Sequence, residues 1–370
     1  MNPWPALAAL GLLAVWVALP GLRPGRQRLR VEKPEGAAGR PRPIELEASF
    51  ELPLPAYWRL EWRPAPRLGL RGASRSGLGW GRQRLRLRAT ASPLRRGLYQ
   101  PPTARLFVRD VLGLREREVP LAVTESQSLL VYPRVWEQLP PELALTLLAE
   151  GPESASLGLE DASRYRGVRP YQPGDPQRRI HWKASARHGR LMVREFAWVR
   201  ATGVWIYVDT GGQEIYTDHM AELAASLAVH LERRGLAVGL AWPGFSQPPA
   251  RGLEATRRLL AALARLEPGN GEAAPPLPPA GVNLLVLTQR APLQVIEGAL
   301  RARARAARVH ILMFPEGFFL RPGESGRPVW GRTDGMLRLE KQRRLLEAAG
   351  VYVHVFRGNE HVFFAGRRQR

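Results

Sequence analysis

The sequence predicts a three-part chain: an N-terminal transmembrane helix, a small antiparallel β-sandwich-like domain and a C-terminal α/β doubly wound domain. Three observations carry this prediction. Residues 1–22 contain no charged side chain, residues 44–125 alternate apolar and polar side chains in short runs, and residues 203–370 alternate short apolar strands with amphipathic helices. Period-2 alternation is typical of antiparallel strands with one solvated face, whereas a strand–helix repeat predicts a parallel sheet.

The N-terminal apolar run is long enough to predict a membrane anchor. Residues 1–22 are uncharged, and residues 23–33 then carry five cations. About 20 apolar residues span a bilayer, and the positive-inside rule places the basic flank in the cytoplasm. We therefore predict a single-pass protein of the cell inner (cytoplasmic) membrane with the bulk of the chain cytoplasmic; the alternative is a buried core helix. We predict that residues 23–43 form a basic juxtamembrane linker that could also contact anionic lipid headgroups.

The composition excludes several kinds of site. The chain has no cysteine, which rules out disulfides, thiolate metal sites and a cysteine nucleophile. Its net charge of +22 favours anionic partners. The sequence contains neither a glycine-rich phosphate loop with its lysine nor a Gly-x-Ser-x-Gly elbow, so no cofactor is predicted.

Two polar side chains end neighbouring strands of the predicted α/β sheet. Asp209 ends the apolar run over 204–209, and Thr288 follows the run over 282–287. Ligands of such sheets bind at the carboxyl ends of the strands where the strand order reverses, and the order 3-2-1-4-5-6 makes these two ends flank one crevice. The hydroxyl ligands that a cation needs after Asp209 are mostly missing, so this metal site is interpreted as degenerate.

A Pro-Gly-Asp turn marks the signature segment over residues 126–202. The Pro-Gly pair at 173–174 suits the central positions of a type II turn, and Asp175 follows it. The next residues, RRIHWK, place Ile180 and Trp182 on one face of a predicted strand. The segment is therefore predicted to be a structural turn and strand with a charged outer face.

Cations strongly outnumber acids around this turn. Nine arginine and lysine side chains between residues 164 and 194 have only Asp161, Asp175 and Glu195 as nearby acids. This imbalance predicts an acidic partner or an acidic groove within the chain.

With these residues in view, the chain resembles the bacterial family catalogued as domain of unknown function 58. The stretch RYRGVRPYQPGDPQRRIHWKASARHGRLMVREF is similar to the family's Arg-x-Tyr-x-Pro-Gly-Asp, Arg-x-Ile-x-Trp-Lys and Ala-Arg signature, and RRGLYQPPTARLFVRDVLGL is similar to a second block. The resemblance implies N-terminal membrane segments, a β-rich domain and a von Willebrand factor A-like C-terminal domain. It also implies association with MoxR-type AAA+ ATPases and transglutaminase-like membrane proteins, with no enzymatic activity assigned.

The metal motif departs from the pattern of metal-binding A domains. The Asp-x-Ser-x-Ser motif is DTGGQ at residues 209–213, and the later Thr-Asp pair is Thr288-Gln289. The resemblance therefore does not imply metal-dependent adhesion.

The leading hypothesis is a membrane-anchored, non-enzymatic adaptor or scaffold that works with a MoxR-type AAA+ ATPase at the cell envelope. In this hypothesis Asp175 fixes the turn by pairing with an arginine, and Trp182 anchors the segment to its domain. The predicted partner-binding residues are Arg169, Asp175, Arg179, Trp182, Lys183 and Arg187.

Two alternatives remain open. One is a binder of nucleic acid or anionic lipid through the basic face; nucleic acid is disfavoured because aromatic side chains are not interleaved with the cations as a stacking platform requires. The other is an uncharacterised hydrolase with Asp175, His181 and Glu195 as an acid–base set, which requires a cleft with perturbed acids.

Overall fold

The computed structural model of the chain divides into two units, Met1–Arg134 and Val135–Arg370. Its described part forms eighteen strands and five α-helices. The described residues are 3, 4, 7, 8, 10, 11, 22–137, 159–172, 177, 180–199, 203–212, 214–270, 273–315, 318 and 334–356.

The first unit is built of strands. They are β1 (Gly25–Val31), β2 (Glu35–Ala37), β3 (Arg42–Trp62), β4 (Arg71–Gly72), β5 (Arg75–Ala91), β6 (Gly97–Tyr99), β7 (Ala104–Asp110), β8 (Glu116–Val119), β9 (Leu121–Ser126) and β10 (Leu129–Tyr132). Seven strands form one sheet in the order β4-β5-β3-β1-β9, with β7 paired to β3 and β8 to β7. The other three form a sheet in the order β2-β10-β6.

Both sheets of this unit are mixed, so the predicted purely antiparallel sandwich is wrong. β1 pairs with β9 in parallel, and β10 pairs with β2 in parallel. Parallel pairing requires a long connection between the strands, and each of these pairs joins the beginning of the unit to its end. Short-range alternation carries no information about such distant pairings.

The long strand β3 shows how the alternating pattern makes a two-faced sheet. Leu46 is fully buried, while its neighbours Glu45 and Glu47 point to the other face. There Arg86 lies 2.9 Å from Glu47, and Arg88 lies 3.2 Å from Glu45. Exposed ion pairs of this kind contribute about 0–1 kcal/mol each, so the buried face supplies most of the stability.

The second unit combines a two-stranded sheet with an α/β sheet. The two-stranded sheet consists of β11 (Leu159–Pro170) and β12 (Met192–Val199), with helix α1 (Trp182–His188) between them in the chain. The elements that follow are β13 (Gly203–Val208), α2 (Glu214–Glu232), β14 (Ala237–Trp242), β15 (Phe245–Ala250), α3 (Leu253–Ala264), β16 (Val282–Thr288), α4 (Leu293–Ala302), β17 (Val309–Met313), α5 (Asp334–Ala348) and β18 (Val351–Val355).

The six-stranded sheet has the order β15-β14-β13-β16-β17-β18, and it is mixed rather than purely parallel as predicted. β15 pairs antiparallel with β14 at one edge. Its sequence, FSQPPA, contains two prolines, which hide it from a strand pattern but are tolerated on an edge strand. One apolar core lies between the sheet and helices α2 and α3, and a second lies against α4 and α5.

The predicted transmembrane helix over residues 1–22 is wrong, and so is the single-pass inner-membrane location drawn from it. Within the described part of the chain, no helix is long and apolar enough to cross a bilayer. The prediction rested on hydropathy alone, which measures apolar composition and does not establish that the residues form one continuous helix. The residues of this run outside the described part are 1, 2, 5, 6, 9 and 12–21.

A buried carboxylate holds the turn between β7 and β8, in the second of the two motif blocks. Asp110 Oδ1 accepts hydrogen bonds from the backbone N–H groups of Leu112 at 2.9 Å and Leu114 at 3.1 Å, and Oδ2 accepts one from Arg115 at 2.5 Å. Desolvation acts to raise the pKa of Asp110, but the backbone hydrogen bonds outweigh it and the pKa is lowered. The folded turn therefore depends on the ionised form.

Replacement of this carboxylate should destabilise the first unit. We expect Asp110→Ala to lower the free energy of unfolding by about 2 kcal/mol at pH 7, because three backbone donors lose a charged acceptor. Since the folded pKa of Asp110 lies below its ordinary value, this stabilisation is present at neutral pH and is lost as the pH falls through the folded pKa. Urea unfolding of the natural chain and of Asp110→Ala, at pH 7 and in acid, measures the difference in the free energy of unfolding.

The matched control is Glu51→Ala, which removes an exposed carboxylate from β3 of the same unit. An equal loss in both variants, or a difference for Asp110→Ala that stays constant in acid, would contradict this account of the turn.

Candidate functional site

The signature segment contains a short helix where a strand was predicted. Among the described residues of this stretch, Ile180 keeps a strand pairing through a single bridge to Val193 of β12, and the chain then enters α1. The sequence of α1, WKASARH, is followed by Gly189 with φ 64°, a left-handed conformation typical of a helix end. In the sequence, Gly189 indicates the end of a helix, but the alternation of Ile180 and Trp182 favoured a strand.

His181 caps the first turn of α1. Its Nδ1 accepts a hydrogen bond from the backbone N–H of Ala184 at 3.1 Å, and its backbone N–H donates to the carbonyl oxygen of Met192 at 2.8 Å. A side-chain acceptor at this position satisfies a backbone donor that the helix itself cannot. The imidazole predicted as part of an acid–base set is therefore engaged in holding the helix.

Ser185 fastens α1 to β12. Its buried hydroxyl donates to the carbonyl oxygen of His181 at 3.1 Å and accepts from the N–H of Met192 at 2.8 Å. Met192 and Val193 are buried beside it. One face of α1 is thereby held against the strand, and the opposite face is left to solvent.

The outward face of α1 presents a tryptophan among cations. Trp182 is 69% exposed, so it does not anchor the segment by burial as the sequence analysis expected. Lys183 and Arg187 are also exposed on this helix. Arg169 is half-buried on β11, where it donates to the carbonyl oxygen of Pro170 at 3.1 Å.

The structure therefore brings three of the six predicted partner-binding residues together on α1 and places Arg169 on β11. Asp175 and Arg179 lie outside the described residues. Residues 176–194 contain no acidic side chain, and Asp175 and Glu195 directly flank this stretch, so the cations of α1 outnumber the acids close to them in sequence.

A second candidate site lies at the carboxyl ends of β13 and β16, which are parallel neighbours where the strand order reverses. Thr288 Oγ1 donates to Asp209 Oδ2 at 2.6 Å, and the N–H of Gly211 donates to Asp209 Oδ1 at 3.0 Å. Both Asp209 and Thr288 are fully buried. Burial raises the pKa of Asp209, although these two hydrogen bonds and the charge of Arg290 oppose the shift.

The loop after Thr288 depends on the same hydroxyl. Thr288 Oγ1 accepts a hydrogen bond from the N–H of Ala291 at 2.9 Å, and Ala291 has φ 45°, in the region that favours glycine. Asp209 and Thr288 therefore tie two strand ends and a strained loop together. Among the described residues, no group of three or more His, Asp or Glu side chains is arranged to hold a metal ion.

A cleft of about 650 Å³ opens beside this network, at the carboxyl end of β14. Thr210 and Trp242 line it together with Arg265 and Glu267, whereas Asp209 does not. The cleft thus offers polar and aromatic surface to a ligand, but the buried carboxylate does not face it.

Removal of the Thr288 hydroxyl should be costly. We expect Thr288→Val, which preserves shape, to lower the free energy of unfolding by about 3 kcal/mol, because it takes hydrogen bonds from a buried carboxylate and a buried N–H. The control is Thr256→Val, which removes one hydroxyl whose hydrogen bond to the Gly252 carbonyl oxygen is 3.3 Å long. Denaturant unfolding compares the two, and equal losses would contradict a special role for Thr288.

Comparison with known proteins identifies relatives of the region just described. Residues 167–300, from the end of β11 into α4, match the family model described as protein of unknown function DUF58. The chain is also 24% identical over 245 residues to the uncharacterized protein YeaD of Bacillus subtilis (strain 168), covering 64% of this chain and 59% of that protein. The chain thus matches less than two thirds of this relative's length.

Similarity to solved structures is weak. The ASH/PapD-like domain of human CEP192 covers 26% of this chain and 84% of its own, at 13% identity and a TM-score of 0.18. A FixG-related protein from Vibrio parahaemolyticus covers 30% of this chain and 97% of its own, at 10% identity and a TM-score of 0.19. TM-scores this low carry no argument about fold or function.

Both candidate sites, α1 with β12 and the ends of β13 and β16, fall inside the family match. The match over residues 167–300 and the distant relative both support a similarity of this chain to the DUF58 family.

Proposed function

We propose that this chain is a non-enzymatic adaptor that binds an acidic protein partner, a MoxR-type AAA+ ATPase, through the outward face of α1. The α1 docking surface is defined by the exposed side chains of Trp182, Lys183, Arg187, Arg190 and Leu191. The observation that carries the proposal is the 69% exposure of Trp182 on a helix that Ser185 fastens to β12.

An exposed tryptophan is the strongest single element of this surface. Burial of a large apolar side chain contributes about 1.5–3 kcal/mol, and Trp182 obtains little of that contribution from the described part of the chain, where it is 69% exposed. Tryptophan and arginine are also the residues most enriched at the energetic centres of protein interfaces. Leu191, directly before β12, is a second exposed apolar side chain of the surface, at 46% exposure.

The cations around Trp182 favour an acidic partner. Lys183, Arg187 and Arg190 are exposed, and residues 176–194 supply no acid to neutralise them. Complementary charge speeds encounter and selects partners more than it adds affinity. The choice of an AAA+ ATPase as the partner rests on the family resemblance.

The enzyme alternative has less support. The hydrolase hypothesis needs His181 as a proton carrier, but its Nδ1 caps α1 and the residue is only half-buried. The nucleic-acid alternative gains support from one exposed aromatic side chain, Trp182. A stacking platform, however, uses several aromatic side chains along the bound nucleic-acid strand.

The tryptophan can be tested by one substitution. Trp182→Ala should weaken binding of the purified ATPase to the full chain by about 30-fold, the loss typical of an interface centre, because the main apolar contact is removed. The matched control is Trp80→Ala, since Trp80 is 72% exposed but lies in the first unit. Biolayer interferometry measures both; unchanged binding by Trp182→Ala, or equal weakening by Trp80→Ala, would refute the proposal.

The charged part of the surface should act mainly on the association rate. Lys183→Ala/Arg187→Ala should slow association with the ATPase at low salt, with a smaller effect on dissociation. Arg301→Ala, which removes an exposed cation from α4, serves as the control. If instead a single-stranded oligonucleotide binds the chain with an affinity that falls by decades between about 50 and 200 mM salt, and the ATPase does not bind, the nucleic-acid alternative replaces the proposal.

A further inference from the structure

Large apolar side chains lie exposed in the first unit where β7 ends beside β3 and β5. Their exposed fractions range from 43% to 72%. We call them the apolar patch, which consists of Tyr57, Leu78, Trp80, Val111, Leu112 and Leu114. Tyr57 and Leu78 are direct cross-strand neighbours. Soluble monomers rarely expose contiguous apolar surface, and where they do it marks a site of interaction.

The strand register brings the remaining members of the patch together. Ala56 of β3 lies opposite Gly79 of β5 on one side and opposite Asp110 of β7 on the other. Trp80 and Val111 directly follow those two residues. Neighbouring strands are about 4.8 Å apart, so the backbones of Trp80 and Val111 are about 10 Å apart across β3. The patch is therefore one surface, although three strands contribute to it.

The turn after β7 holds its leucines outward. Asp110 accepts hydrogen bonds from the backbone N–H groups of Leu112 at 2.9 Å and Leu114 at 3.1 Å. Gly113 between them has φ 72°, in the left-handed region that favours glycine. The side chains of Leu112 and Leu114 are nevertheless 56% and 72% exposed. The buried carboxylate thus fixes the backbone of a turn that presents apolar side chains to solvent.

Arginines flank the patch on both sides. Residues 62–109 contain no acidic side chain. Arg82 and Arg84 continue the exposed face of β5 beyond Trp80, and their side chains form no ion pair with the described residues. On the other side, the guanidinium group of Arg109 lies 5.6 Å from the ring centroid of Tyr57.

Acidic side chains on the same face do not neutralise these cations. Glu51 lies opposite Arg82 in the register, and Glu116 pairs with Arg59 at 3.1 Å. No other acid is opposite the exposed arginines next to Trp80, because Arg84 faces Ser49. The surface around the patch is therefore positive.

This combination of apolar and positive surface favours an anionic bilayer as the occupant. A second copy of the chain, with a net charge of +22, would bring like charges together. A bilayer with anionic lipids offers phosphate groups, which arginine binds with two parallel hydrogen bonds, directly above an apolar interior. Tryptophan and tyrosine are enriched at this boundary between headgroups and hydrocarbon.

We propose that the apolar patch and its flanking arginines bind the surface of a bilayer that contains anionic lipid. The contact is peripheral: side chains of a turn and two strands enter the headgroup region, and no segment crosses the bilayer. This inference is independent of the proposed adaptor function, because it involves only the first unit and neither α1 nor β12.

The absence of cysteine allows a single label to test the patch in the full chain. A polarity-sensitive fluorophore on Leu112→Cys should shift its emission to the blue on addition of vesicles made of equal parts phosphatidylcholine and phosphatidylglycerol. The same label on Leu345→Cys, at a position 73% exposed on α5 of the second unit, should not respond. If the chain sediments with the vesicles but the Leu112 label does not respond, another segment binds the lipid and the proposal is overturned.

The arginines provide a second measurement on the same label. Arg82→Gln/Arg84→Gln should raise the lipid concentration for half of the response by about 10- to 30-fold, because each cation near an anionic surface contributes to binding. Arg301→Gln/Arg305→Gln, which removes two exposed arginines of the second unit, should change it little. Equal effects of the two pairs, or an equal response to pure phosphatidylcholine vesicles, would overturn the role of charge and with it the proposal.

Two further results would assign the patch to another occupant. Blue emission of the Leu112 label before vesicles are added would show that the chain itself covers the patch. A response to polyglutamate that vesicles do not produce would indicate an acidic protein partner. Either result would overturn the proposal and leave the adaptor function of α1 untouched.

Discussion

The signature segment depends on the hydrogen bonds of the Ser185 hydroxyl group. A helix of seven residues is too short to be stable by itself, because isolated helices of fewer than about 12–15 residues are marginal in water. Ser185 holds α1 to Met192 of β12, and His181 supplies the missing acceptor at the first turn. These two polar contacts, rather than an apolar face, determine which side of the helix is covered. Trp182, in the first turn of this helix, is 69% exposed, and Lys183 and Arg187 are exposed on the side away from Ser185.

Polar contacts also organise the ends of β13 and β16, but there they are directed into the protein interior. There Asp209 and Thr288 turn their polar atoms toward each other inside the protein, where burial strengthens the hydrogen bond. A carboxylate engaged in this way stabilises the meeting of two strands, and the cleft beside it is lined by other residues. The family region thus contains one polar network directed inward and one charged surface directed outward.

Sequence reasoning located features that depend on near neighbours in the chain. The continuous apolar runs at 204–209 and 282–287 predicted buried strands, and β13 and β16 lie there, because central parallel strands are covered on both faces. The proximity of Asp209 to Thr288 followed from the strand order. Pairings between distant segments, such as β1 with β9, leave no mark on local periodicity and were missed. The apolar patch joins side chains from three strands of the first unit, which only the sheet register brings together.

Residues with two competing signals produced the other errors. Ile180 and Trp182 alternate as in a strand, whereas the alanines and Gly189 that follow favour a helix, and the buried contacts of Ser185 decide for the helix. Two prolines concealed the edge strand β15 from a strand pattern, and hydropathy alone suggested a membrane-spanning helix over residues 1–22. Hydropathy alone could not predict which structure forms at these positions, because backbone restrictions and tertiary hydrogen bonds determine it.

Hydrogen exchange of the full chain, with and without the purified AAA+ ATPase, tests the central claim most directly. The account predicts that the amides of residues 181–191 exchange more slowly in the complex, because a partner seated on Trp182 restrains the opening of a helix held by only a few contacts. Protection confined to the first unit, or to the cleft near Trp242, would contradict the assignment of α1 as the docking surface.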